Sequence, residues 1–142
     1  MLDGTALAFD FGTRRIGVAI GESLIKVTHP LTTINSTDNA QRLAAIHRLI
    51  DQWQPSYLVV GLPTHTDGTT HELTSLARRF AQQLKDEFSL PVSLVDERYT
   101  SVVAESLLTE AGISGRRQKP MLDQVAAQAI LQTWFEFNGE TL

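Results

Sequence analysis

The chain contains no cysteine. That removes disulfides, thiolate nucleophiles and cysteine-ligated zinc, so any metal must be held by oxygen or imidazole, which favours magnesium or manganese. Long apolar runs are missing as well. None approaches the roughly 18 residues of a membrane span, and the N-terminus lacks a basic region followed by a hydrophobic signal segment. A cytoplasmic protein with no membrane partner is expected. Positive charge is in deficit, with 12 Lys and Arg against 16 Asp and Glu and a net charge of −4. That argues against a protein that coats DNA non-specifically, though not against a nuclease with clustered carboxylates and a local basic patch. Histidine is sparse: of His29, His47, His65 and His71, only the last two flank a loop able to approach a site. No convincing Ser-His-Asp arrangement is present. The remainder is ordinary for a soluble globular protein, with 142 residues, 42% of them hydrophobic and 20% charged. One domain spanning 1–142 is expected.

The most informative stretch is 7–20, where a lone carboxylate interrupts an apolar strand pattern. Strand alternation puts Leu7, Phe9 and Phe11 on one face and Ala6, Ala8 and Asp10 on the other. Taking an unpaired carboxylate out of water costs several kcal/mol, compensated by an opposite charge, hydrogen-bond donors or a metal cation. Asp10 is therefore either a metal ligand or a turn residue ahead of Gly12.

Three strand-like runs come first, over 5–11, 16–21 and roughly 24–34, and read as an antiparallel meander. Leu43, Ile46, Leu49, Ile50 and Trp53 then follow helical spacing, closed by Pro55. A short apolar run over 57–62 fits a buried parallel strand, and Gly61, Pro63, Asp67 and Gly68 mark a loop. A helix over about 70–88, a strand over 91–95 and a helix over about 101–111 stopped by Gly112 follow. The segment 113–119 is polar and basic, and Pro120 stands as a first helical residue before a last helix to 137. This order implies an α/β fold: a mixed five-stranded sheet, its first three strands antiparallel and the later two parallel to the first, flanked by about four helices. Ligands favour the switch point of such a sheet, at the carboxyl ends of its strands. Asp10 lies near that end.

Two further acidic sites match this location. Asp96-Glu97-Arg98 ends the fifth strand, and both acids can point inward only if the strand has stopped by then. Glu97 is favoured, with Asp96 second because it can cap the following turn. Asp123 opens the last helix ahead of Ala126, Ala127 and Ala129, small residues that would let the helix approach the Ala6 and Ala8 face. Taken singly, Asp123 reads more simply as an acid at a helix N-terminus. Together the three form the carboxylate cluster that two-metal phosphodiester chemistry requires, with two magnesium or manganese ions about 3.5 to 4 Å apart.

Asp10-Phe11-Gly12-Thr13 through Ile16-Gly17-Val18-Ala19, Val59-Val60-Gly61-Leu62-Pro63 with Asp67-Gly68, Asp96-Glu97-Arg98 with Thr100, and Asp123 before an alanine-rich helix resemble the YqgF family in order over nearly the whole chain. The resemblance implies an RNase H-like fold related to the RuvC Holliday junction resolvases, metal-dependent nuclease activity, and a role in maturing the 5′ end of pre-16S ribosomal RNA. Onto this chain it carries Asp10, Glu97 and Asp123 as the acidic, metal-binding site. His65 departs from the family, which commonly has Asn there. The alternatives are a resolvase acting on branched DNA and a non-catalytic RNA-binding protein of the same fold. Asp10-Phe11-Gly12-Thr13 also resembles the first phosphate loop of the actin and sugar kinase group, but those proteins close two such domains over a nucleotide and 142 residues supply one.

Nucleic acid is the expected partner, and the chain a monomer or weak homodimer. Arg14 and Arg15 after the first strand, Arg98 beside Glu97, and Arg116, Arg117 and Lys119 before Asp123 should border the acids and contact phosphates.

Overall fold

The structure, a computed structural model, describes residues 4–63, 72–97, 118–137 and 140–142, with the side chains of 118–121 outside that description. In chain order the elements are β1 (Thr5–Phe11), β2 (Arg15–Glu22), β3 (Val27–Asn35), α1 (Asn39–Trp53), β4 (Tyr57–Leu62), α2 (Glu72–Phe88), β5 (Val92–Asp96), α3 (Gln118–Phe137) and β6 (Glu140–Thr141). The helix expected over 101–111 lies outside the described residues.

The strands form one sheet in the order β3-β2-β1-β4-β5-β6. β1 to β3 make the antiparallel meander, while β4 and β5 run parallel to β1. The expected count of five strands is corrected to six. After α3 the chain returns along the outer edge of β5, where Thr141 pairs with Ser93 and Glu140 with Leu94. Two exposed polar residues carry no period by which such a strand could be read. The start of the third strand also moves, from 24 to Val27. Leu24 and Ile25 are apolar yet 66% exposed, and Lys26 has φ 54°, so this run is the hairpin tip.

Alternation along β1 separates the two layers as expected. Leu7 and Phe9 pack with Ile16, Ile46, Leu58, Phe80 and Leu84 on one face. Each such burial is worth about 1.5–3 kcal/mol, so this is the anchoring layer. Ala6 and Ala8 lie on the other face with Tyr57, Val59, Ile130, Leu131 and Trp134. Small side chains there let α3 settle close to the sheet. The approach is tightest at Gly17, where a Cβ would run into the backbone carbonyl of Asp123. α3 begins at Gln118, so Pro120 lies within its first turn rather than at its first position. No N–H is needed there, because the first four amides of a helix have no internal acceptor. Asp123 accordingly stands in the second turn, and an interaction with the helix terminus no longer accounts for its charge.

Asp38 caps α1 by accepting from the Gln41 amide at 2.9 Å. The buried Arg42 donates to the carbonyls of Ser36 at 2.5 Å and Gly12 at 2.8 Å, with its guanidinium 5.5 Å from the Phe11 ring centre. One side chain thus ties the β1–β2 turn to the start of α1. No described helix is long and apolar enough to cross a membrane.

Candidate active site

β1, β4 and β5 end side by side. One step beyond the Phe9–Val60 pair brings Asp10 beside Gly61, and Gly61 is in turn aligned with Val95 and Leu62 with Asp96. β5 stops at the exposed Asp96. The next amide, of Glu97, donates to the Leu62 carbonyl at 3.0 Å. The Glu97 side chain then lies over β4 and hydrogen-bonds Asp10. Room for it comes from Gly61, where a Cβ would sit 2.7 Å from Glu97 Cδ and would also strike Ile130.

Two carboxyl groups in contact do not both ionise easily. Burial pushes Asp10 up from 3.8 to about 6, the hydrogen bond from Glu97 opposing and the Asp123 charge adding to the rise. Glu97 is pushed from 4.5 to about 9, by burial first, then by the charge and hydrogen bond of Asp10 and by Asp96. Near neutral pH the pair therefore shares one proton, held on Glu97 and donated to the Asp10 carboxylate. Such a pair can exchange its proton for a cation. Hard oxygen donors of this kind suit magnesium or manganese.

Asp123 reaches the same corner from α3, but its Oδ2 accepts from Arg15 Nε at 2.8 Å. Among the described residues no group of three or more acidic or imidazole side chains is set to hold a metal ion. The structure thus brings two of the three expected acids together, Asp10 and Glu97, and holds the third on Arg15. Arg14, Arg15, Glu72, Leu76 and Asp123 border a cavity of about 620 Å³. A cleft of similar size, about 630 Å³, between Phe11, Arg42 and α2 contains none of the three acids.

Arg98, Arg116, Arg117, His65 and His71 lie outside the described residues, as do Asp67, Gly68 and Thr100. Lys119, expected in a polar link, belongs to α3. His29 and His47 are exposed, His47 lying 3.8 Å from Glu87 on the α1–α2 side. Gly61, expected to mark a loop, lies inside β4, and it and Gly17 are site-forming residues that the sequence reading does not identify as such. Their signal was a glycine inside an apolar strand run, which marks a close approach.

A family model described as "RuvX: Holliday junction resolvase" matches residues 4–137. A protein of Chromobacterium violaceum named "Putative pre-16S rRNA nuclease" is 63% identical over 134 residues, covering 94% of this chain and 98% of its own. One of Nitrosomonas europaea with the same name is 58% identical over 135 residues, covering 95% and 91%. Among solved structures, T. thermophilus RuvC in complex with a Holliday junction substrate superposes with a TM-score of 0.58 at 14% identity, over 97% of this chain and 99% of that one. The fowlpox virus resolvase, solved with Holliday junction DNA, gives 0.59 at 12% identity over 93% and 97%. At such identities the likeness is one of fold, and it places the sheet and helices in the RuvC-like RNase H class. The family match over residues 4–137, together with relatives this similar over nearly their whole length, shows that the chain belongs to the RuvX family.

Proposed function

We propose that the chain is a metal-dependent nuclease that hydrolyses phosphodiester bonds at the 5′ end of pre-16S ribosomal RNA in the cytoplasm. The observation that carries this reading is the Asp10–Glu97 carboxyl pair at the carboxyl ends of β1 and β5, with Asp123 at the same corner. The names of the relatives support the choice of RNA. Asp10 and Glu97 would hold magnesium or manganese, with Asp123 joining once it leaves Arg15. A bound ion supplies Lewis acidity at the phosphoryl oxygen and an activated water.

The protein's own part is to position and to shed a proton. Glu97 must release the proton it shares with Asp10, because only the ionised pair offers a full set of oxygen donors. Gly61 leaves the space in which Glu97 can stay against Asp10. Arg14 and Arg15 line the cavity and offer positive charge to a backbone phosphate that would lie there. The reaction requires no protein nucleophile.

The substrate is decided by incubating the protein with a pre-16S fragment and with a four-way DNA junction, each in magnesium and in manganese. Cleavage of the RNA at its immature 5′ end, with the junction left intact, supports the proposal. Symmetrical cutting of the junction alone would assign the site to branched DNA.

A further inference from the structure

The geometry of β2 gives Asp123 a choice of neighbours. Ile16 and Val18 belong to the core on the α1–α2 side, so alternation puts Arg15, Gly17 and Ala19 on the face under α3. Gly17 is paired with Asp10 across β1 and β2, and the α3 backbone at Asp123 is pressed onto that glycine. The Asp123 backbone is thereby fixed above the strand, with Arg15 on one side and Asp10 on the neighbouring strand, and only its side chain is left to turn. Here it is turned to Arg15, at 2.8 Å, with the two side chains 56% and 30% exposed. An ion pair that open to water is weak, so a divalent cation readily displaces it.

The cavity beside this pair adds a second observation. Among the described residues its charged lining is Arg14 and Arg15 against Glu72 and Asp123, two positive and two negative charges. Against these four charges a phosphate gains little until Asp123 is neutralised. Among the described residues Arg14 makes no ion pair, whereas Arg15 is committed to Asp123.

We propose that Arg15 is an exchangeable counter-ion, held on Asp123 in the metal-free protein, released into the cavity when a divalent cation takes Asp123, and then engaged by a phosphate of the nucleic acid. Metal and nucleic acid consequently bind with positive cooperativity, each raising the affinity for the other. This rests on the reading of Asp10, Glu97 and Asp123 as the metal site.

The test is calorimetric titration of Mn²⁺ into the wild type and into Arg15→Gln, Arg15→Lys, Arg14→Gln and Asp10→Asn, with and without a hydrolysis-resistant single-stranded phosphorothioate oligonucleotide. Arg15→Gln should bind Mn²⁺ alone roughly fivefold more tightly than wild type, the size of a displaced exposed ion pair. The oligonucleotide should tighten Mn²⁺ binding to wild type and much less to Arg15→Gln, while Arg15→Lys regains part of that coupling. Arg14→Gln should weaken oligonucleotide binding and leave Mn²⁺ affinity close to wild type. Arg15→Gln binding Mn²⁺ no more tightly than wild type, or keeping the coupling in full, overturns the inference. Asp10→Asn separates the two levels of failure. If it binds Mn²⁺ as wild type does, the metal site itself is misread and both proposals fall. If it loses Mn²⁺ while Arg15→Gln behaves as wild type, only the counter-ion role falls.

Discussion

Asp10 and Glu97 are held together at a cost to the metal-free protein, and that cost has a measurable sign. An acid whose folded pKa lies above its unfolded value binds its proton more tightly when folded, so it favours folding at low pH and loses that contribution as pH rises. For Glu97 the window runs from about 4.5 to about 9, and for Asp10 from 3.8 to about 6. Stability of the metal-free protein should therefore fall across this range in denaturant titrations, and Mg²⁺ should restore it most at the alkaline end. Asp10→Asn removes one charge of the pair and should raise metal-free stability by about 0.5–2 kcal/mol. A fall instead would make Asp10 a structural residue. Gly61→Ala should act in the opposite direction, losing about 1–3 kcal/mol by overpacking against Glu97 and Ile130, together with most of the stabilisation by Mg²⁺. The meeting of Asp10 with Glu97 was legible from two signals, a charge in an apolar strand at Asp10 and the end of the fifth strand at Glu97. The role of the glycines was not legible, Gly61 reading as a loop marker although it lies inside β4, because an absent side chain shows its purpose only when the neighbour that fills its space is known.

At the scale of elements, what was readable depended on length and periodicity. β1 and the two parallel strands declared themselves by apolar runs, and α2 by a face of Ala77, Phe80, Ala81 and Leu84 that is buried as its spacing implies. The hairpin tip at Leu24 and Ile25 misled because exposed apolar residues in a turn look like strand, and β6 was invisible because two polar residues hold no pattern. Pro120 marked the start of α3 to within two residues, since proline is tolerated throughout a first turn. The link least visible in sequence is Arg42, a buried cation that reads as part of a solvated helix face. Arg42→Ala would leave the Ser36 and Gly12 carbonyls without this donor and cost about 1–3 kcal/mol in thermal or chemical unfolding. Because the Gly12 turn leads into Arg14 and Arg15, oligonucleotide binding should weaken as well. Unchanged stability would mean that the turn is held by other contacts.

For the whole molecule, a net charge of −4 and a nucleic-acid substrate are reconciled by where the charges lie. Asp10 and Glu97 lie where β1 and β5 end, Asp123 reaches the same corner from α3, and Arg14 and Arg15 line the adjoining cavity, so on the proposed function the long-range field would repel nucleic acid and the site would attract it once its acids held a cation. The central claim is that the paired acids at this corner perform metal-dependent phosphodiester cleavage. It is tested most directly by incubating purified protein with a pre-16S fragment in EDTA, then in excess Mg²⁺, for wild type, Asp10→Asn and Glu97→Gln, each first shown to be folded. The account predicts cleavage by wild type in Mg²⁺ alone and a loss of at least about a hundredfold in either folded variant. Cleavage that survives EDTA, or proceeds at the wild-type rate in a folded Asp10→Asn protein, would contradict it.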